Sequence, residues 1–146
     1  MSAASAPLLL FGRRQRAAAA QTKIVELHIQ TDGEFLAFVP PELTCRTGTH
    51  VRLVFHHAGK RIPQEHNWVL VKPGTVEEVD RAASAAGEAK GWLPQRDRRV
   101  LAHTKLCHPG DTAIVEFAAP PPGDYPFFCS YPGHRAEMHG VLHVTA

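Results

Sequence analysis

The sequence predicts an all-β domain, a Greek-key sandwich of two sheets with about eight strands and one short helical insertion. From Lys23 onward apolar and polar residues alternate with a period of two, which is the side-chain period of a half-buried strand. Turn-forming residues interrupt this alternation at short intervals. A chain of 146 residues that is 44% hydrophobic and 21% charged fits one compact domain and excludes a wholly disordered protein.

Each predicted element follows from its local pattern. Val25, Leu27 and Ile29 alternate with polar residues, and the same argument gives strands at 35–39, 51–55, 67–71, 99–106, 112–117, 124–129 and 140–145. The segment 75–90 has apolar residues at helical spacing and predicts the inserted helix. The prolines at 120–122 cannot continue a central strand, because proline lacks the N–H donor, and they mark a turn.

The first residues differ in character from the rest of the chain. A short apolar patch at 8–11 precedes Arg13, Arg14 and Arg16, whereas an export signal places its basic residues first and has a longer apolar run. We expect residues 1–21 to be a disordered leader or a remnant export signal, and residues 22–146 to form the domain. No run of 18 apolar residues occurs, so no membrane-spanning helix is expected.

The charges of the chain are scattered and of mixed sign. The formal net charge is +2 and the pI is about 8.6. The densest basic stretch, at 96–99, is interrupted by Asp97. This pattern does not favour nucleic-acid binding.

The segment 127–140 carries the chemistry. Cys129, His134 and Met138 supply a thiol, an imidazole and a thioether within ten residues. Copper that cycles between two oxidation states is suited by one thiolate and two imidazoles in a plane with a weak axial thioether. The turn before His134 can return its ring to the metal that Cys129 binds. A further ligand should come from a neighbouring strand, and His66, directly before an apolar strand, is the best candidate.

These motifs resemble those of the azurins, bacterial members of the cupredoxin family of blue copper proteins. The resemblance covers nearly all of residues 23–146. It is carried by the segments 66–70 (HNWVL), 100–106 (VLAHTKL), 127–129 (FFC) and 132–134 (PGH), followed by Met138.

The resemblance implies a ligand set. Cys129, His66 and His134 would be the strong equatorial ligands of one type 1 copper ion, and Met138 the long axial ligand. The backbone amides of Asn67 and Tyr131 would donate hydrogen bonds to the Cys129 sulfur. In azurins a glycine carbonyl lies on the opposite axis.

That glycine position is Glu65 in this chain. A side chain there restricts the backbone and crowds the site, which weighs against a close second axial contact from the Glu65 carbonyl.

Two further features depart from the resemblance. Cys45 resembles one half of the azurin disulfide, but the partner position near Val25 holds no cysteine. Cys45 is expected to be a buried free thiol, with pairing to Cys107 as the open alternative. Arg135 and Glu137 place charges where the azurin docking surface is apolar, which favours a partner of complementary charge.

The remaining candidate residues are interpreted as structural. Trp68 and Trp92 are expected to be packing aromatics and not redox relays. The other histidines are expected to be surface or structural residues; they are His28, His50, His56, His57, His103, His108, His139 and His143.

The resemblance implies a function: one-electron transfer between protein redox partners, such as cytochromes or copper oxidoreductases, in the periplasm or otherwise outside the cytoplasm. The protein would not be an enzyme. The alternative is a copper carrier or storage protein, although only two methionines are present, and Met1 is one of them. A cysteine hydrolase using Cys129 and His134 lacks an evident orienting Asn or Asp, and a multicopper oxidase fragment needs further histidine clusters.

Overall fold

Nine β-strands and one α-helix make up residues 21–146, the part of the chain that the computed structural model describes. The predicted leader, apart from Gln21, lies outside these residues. The strands are β1 (Ile24–Asp32), β2 (Phe35–Val39), β3 (Glu42–Arg46), β4 (His50–His56), β5 (Val69–Val71), β6 (Val100–His103), β7 (Thr112–Ala118), β8 (Gly123–Phe128) and β9 (His139–Thr145). The helix is α1 (Val76–Ala86), and a 3-10 turn follows at Glu88–Lys90.

The strands form two mixed sheets. One sheet has the order β2-β1-β4-β7 and the other the order β3-β9-β8-β5-β6. The pairs β1–β4 and β3–β9 are parallel, while the remaining pairs are antiparallel. The prediction of an all-β sandwich with a helical insertion is therefore confirmed.

The core lies between the sheets and follows the predicted alternation. In β4 the inward residues Val51, Leu53 and Phe55 are fully buried, whereas the residues between them are partly exposed. Trp68 is also fully buried and packs against Phe117, with ring centroids 5.9 Å apart. The expectation that Trp68 is a packing aromatic agrees with this position.

The helix α1 covers part of the outer face of the five-stranded sheet. Its buried residues Val79 and Ala83 lie on one side, and Val79 packs with Val69, Val71 and Phe128. Because β5 is thus covered on both faces, its short sequence is continuously apolar instead of alternating.

The strand β3 was not predicted. It is short, follows two consecutive prolines, and pairs in parallel with β9 about a hundred residues later in the chain. The predicted strand at 99–106 is shorter in the structure, because β6 ends at His103. The helix ends earlier than the predicted segment. Gly87, which follows its last residue, has a φ of 82°, and this conformation is incompatible with continuing the helix.

Candidate metal centre

The ends of three strands bring the predicted ligands to one edge of the five-stranded sheet. β8 runs antiparallel to both β5 and β9, so the start of β5, the end of β8 and the start of β9 lie together. Cys129 directly follows β8 and Met138 directly precedes β9. His66 lies shortly before β5, where its backbone forms an isolated bridge with Cys107.

The loop between Cys129 and Met138 is closed by its own backbone. The His134 N–H donates to the Tyr131 carbonyl at 3.1 Å, and the Met138 N–H donates to the His134 carbonyl at 2.8 Å. Gly133 has a φ of 83°, a conformation that favours glycine and allows the tight turn. These bonds fold His134 back towards Cys129, as the sequence predicted.

Three potential ligand atoms converge on one point. The His66 and His134 Nδ1 atoms are 3.2 Å apart, and the Cys129 Sγ is 3.8 Å from the first and 3.7 Å from the second. A point equidistant from the corners of that triangle lies about 2.1 Å from each atom, close to the roughly 2.0–2.3 Å that a first-row metal such as zinc makes with imidazole nitrogen and thiolate sulfur. The three side chains form the one such group of metal-binding residues found among residues 21–146.

Both imidazoles are held neutral. Burial lowers the pKa of His66 to about 3, and the neighbouring His57 and His134 rings contribute to this shift. Burial also lowers the pKa of His134. A neutral imidazole keeps a lone pair for a metal ion, so these two side chains are prepared for coordination at neutral pH.

The Cys129 thiol is fully buried, and its surroundings favour the protonated form. Burial raises its pKa to about 12, while backbone hydrogen bonds from Asn67 and Tyr131 act in the opposite direction. The Asp80 charge adds a smaller rise. An activated nucleophilic cysteine needs a lowered pKa and access, so this environment does not fit a cysteine hydrolase.

Hydrogen bonds of the Asn67 side chain form a clasp between the segment that precedes β5 and the segment that follows β8. The Asn67 Oδ1 accepts a hydrogen bond from the Ser130 N–H at 2.8 Å, and the Asn67 Nδ2 donates to the Ser130 Oγ at 2.8 Å. The Ser130 hydroxyl in turn donates to the Trp92 carbonyl at 2.6 Å. Asn67 and Ser130 are fully buried, so the clasp fixes the spacing of two ligand-bearing segments away from water.

His57 packs behind His66. Its ring centroid is 4.6 Å from that of His66. The Gly59 N–H donates to the His57 Nδ1 at 3.1 Å, which leaves the Nε2 to donate to the Gln64 carbonyl at 2.8 Å. The sequence left open whether His57 is a surface or a structural residue. Its ring is buried, so His57 is a structural residue.

The aromatic rings beside His134 complete its surroundings. The Tyr131 ring stacks on the His134 ring with centroids 4.6 Å apart. Trp92 meets Tyr131 edge to face at 5.9 Å, which is a packing role. His134 itself is 7% exposed and is therefore the imidazole with the greater access to solvent.

Met138 and Glu65 differ in burial. Met138 is fully buried and belongs to the same core cluster as Cys129. Glu65 is half-buried. Their axial roles stay predictions.

The three cysteines are all free thiols and all buried. Cys45 and Cys107 are therefore not paired with each other, and the open alternative of a disulfide between them is excluded in this structure. Burial raises the pKa of Cys45, and it raises that of Cys107 to about 11.

Comparisons with known proteins identify the family of this chain. The model of copper-binding proteins of the plastocyanin/azurin family matches residues 25–145. The chain belongs to this family. Auracyanin-A of Chloroflexus aurantiacus is 37% identical over 83% of this chain and 75% of its own length. Azurin of Bordetella pertussis is 45% identical over 61% of this chain and 63% of its own length.

Solved structures give the same result for this plastocyanin/azurin family member. The crystal structure of dithionite-reduced auracyanin from Roseiflexus castenholzii has a TM-score of 0.77 at 37% identity and covers 88% of this chain and all of that chain. The structure of auracyanin A, described as a "blue" copper protein, has a TM-score of 0.77 at 36% identity, with 84% and 99% coverage. The prediction of an azurin-like member of the blue copper proteins is confirmed.

Copper is the cofactor of this family, and the residues present fit one type 1 copper ion. The thiolate and the two imidazoles are the donor types that such an ion takes, and their atoms are already spaced around a common centre. Within residues 21–146 there is no helix with the length and apolar character needed to cross a bilayer.

Proposed function

We propose that this protein is a one-electron carrier that takes an electron from one protein and delivers it to another. Bound copper would supply the redox chemistry, alternating between Cu(II) and Cu(I) without transformation of any substrate. We propose that His66, Cys129, His134 and Met138 would hold this copper ion, with the Glu65 backbone carbonyl as a further contact. The proposal is supported most directly by the convergence of two Nδ1 atoms and one Sγ on a single point.

The protein contributes rigidity to this reaction. An electron carrier works fastest when the ligands move little between the two oxidation states. The clasp from Asn67 to Ser130 holds the ligands in place before any metal binds. The backbone hydrogen bonds of the loop between Cys129 and Met138, the ligand loop, do the same. The amides of Asn67 and Tyr131 would tune the potential by stabilising negative charge on the Cys129 sulfur.

We propose the His134 edge as the electron exit, because His134 is the less buried of the two imidazoles. The partner, a cytochrome or a copper oxidoreductase, would dock around it. The structure changes one detail of the charges in this surface. Arg135 forms an ion pair with Asp80, whereas the exposed Glu137 has no ion-pair partner among residues 21–146. We place the protein in the periplasm or otherwise outside the cytoplasm.

The decisive experiment is the visible spectrum after addition of Cu(II). The wild-type protein is expected to show an intense thiolate-to-copper band towards the red, and Cys129→Ser to lose it. Cys45→Ser is the matched control, because Cys45 is also a buried free thiol and should leave the band unchanged. A band that survives Cys129→Ser would refute the proposal, and a colourless complex with Cu(I) alone would support the copper carrier instead.

A further inference from the structure

One ion pair connects the inserted helix to the ligand loop. The Arg135 Nε donates to the Asp80 Oδ2 at 2.9 Å. Arg135 directly follows His134, and Asp80 directly follows the buried residue Val79 on α1. The helix is thereby joined through one side-chain pair to the segment that carries two of the proposed ligands.

The surroundings of the pair distinguish it from an ordinary surface salt bridge. The Asp80 side chain is 23% exposed, and its other oxygen, Oδ1, is buried without a hydrogen-bond partner among the described residues. Exposed ion pairs contribute little because water screens them, whereas a partly buried charge acts over a longer range. Both charges lie beside the loop that carries His134, because Asp80 is bonded to the residue that directly follows this histidine.

The Arg135 backbone is also fixed. Its carbonyl is 3.1 Å from the His139 Nδ1, which donates to it. The N–H groups of Glu137 and Met138 donate to the His134 carbonyl at 3.2 and 2.8 Å. A tether applied at Arg135 is therefore transmitted to a short, hydrogen-bonded loop and not to a loose one.

We propose that Asp80 and Arg135 are positioning residues for the copper centre: their ion pair tethers the loop 134–138 to α1, and each charge compensates the effect of the other on the balance between Cu(II) and Cu(I). The charge part of this inference rests on the proposed function, since it requires copper at the site. The tether part concerns the protein before copper binds.

The charges make opposite predictions for the two single variants. In the measurement, a soluble mediator of known potential gives one electron to Cu(II), so that Cu(II) is reduced to Cu(I) and the mediator is oxidised. Asp80→Asn leaves the positive Arg135 uncompensated and should shift the equilibrium towards Cu(I). Arg135→Gln leaves the negative Asp80 uncompensated and should shift it towards Cu(II).

Each shift is expected to be about fourfold to fifteenfold in the equilibrium constant, the effect of a unit charge on the order of 10 Å from an ion at an effective dielectric constant of about 20–40. The double variant Asp80→Asn/Arg135→Gln should return to within about twofold of wild type, because both charges are gone. Glu78→Gln is the matched control: it removes the same charge from the same helix, but its partner is Arg99 and not the ligand loop. Shifts of both single variants in one direction, or a Glu78→Gln shift as large as that of Asp80→Asn, would overturn the charge part.

The tether is measured in the copper-free protein by amide hydrogen exchange at Glu137 and Met138. Both single variants and the double variant should exchange about twofold to fivefold faster than wild type, the range that loss of an ion pair of this kind gives. Glu78→Gln should leave the rates unchanged, and unchanged rates in all variants would overturn the tether. If the wild-type protein formed no copper-thiolate centre, the proposed function and the charge part would fail together, while the exchange rates would still decide on the tether.

Discussion

Replacing Asn67 by alanine is expected to lower the free energy of unfolding of the copper-free protein by about 2–4 kcal/mol. The Asn67 side chain makes two hydrogen bonds to Ser130, both of 2.8 Å and both fully buried. Without Asn67 the Ser130 N–H is left buried with no side-chain acceptor, which costs about 1–3 kcal/mol. Loss of the second bond adds about 1 kcal/mol.

The assay is urea unfolding of copper-free protein, because bound copper would add its own stabilisation to both variants. Ser130→Ala is the companion variant: it keeps the N–H that donates to Asn67 and removes only the hydroxyl, so we expect a smaller loss of about 1–2 kcal/mol. The double variant should cost less than the two single losses added together, by about 0.5–1.5 kcal/mol, since both remove the same bond.

The visible band of the copper-loaded protein separates stability from ligation. Asn67→Ala keeps the backbone N–H that donates to the Cys129 sulfur, so the band is expected to persist. A loss below about 0.5 kcal/mol for Asn67→Ala, or strict additivity in the double variant, would refute the reasoning that the clasp is a coupled, buried unit.

Three further predictions concern packing and protons. A Cβ at Gly140 would overlap the Pro41 carbonyl oxygen and the Phe127 ring, so Gly140→Ala should lower the free energy of unfolding in urea by about 1–3 kcal/mol or more. The control is Gly74→Ala, where a Cβ has open space and only the positive φ is unfavourable, at a cost of roughly 1 kcal/mol. Equal losses in the two variants would contradict the steric argument. Copper binding must displace one proton from Cys129, whose pKa is raised to about 12, while the imidazoles are already neutral. Copper affinity, measured by competition with a chelator, should therefore rise about tenfold per pH unit from roughly pH 7 to 9. A rise of about a hundredfold per pH unit, which corresponds to two displaced protons, would count against this prediction. In the copper-free protein the lowered pKa of His66 means that the unfolded chain binds more protons than the folded chain below about pH 6.5. The free energy of unfolding should therefore fall by about 1.6 kcal/mol between pH 6.5 and 5, and this fall should shrink in His66→Gln.

Much of the fold and the site followed from local sequence pattern. The alternation around Val51, Leu53 and Phe55 predicted a half-buried strand, because side chains in a strand point to opposite faces. Cys129, His134 and Met138 lie within ten residues, so their proximity needed only one tight loop. His66 was the best candidate for a further ligand because it directly precedes an apolar strand, and the family resemblance then implied it as an equatorial ligand.

Other features depended on pairings between distant parts of the chain. The strand β3 is defined by its parallel pairing with β9, and neither its length nor its composition predicted a strand. The Asn67–Ser130 clasp and the packing of His57 behind His66 arise only when separate loops meet at one edge of the sheet. The Arg135–Asp80 pair joins residues 55 positions apart.

The sequence by itself therefore determined the class of fold and the kind of metal centre, because both depend on residue type and short spacing. The tertiary structure alone decided the burial of the ligands, and with it the lowered pKa of His66 and the raised pKa of Cys129. The physical reason is that a pKa depends on how far a group is removed from water and on which charges lie near it. Both are decided by segments that are distant in the sequence, so no local pattern specifies them.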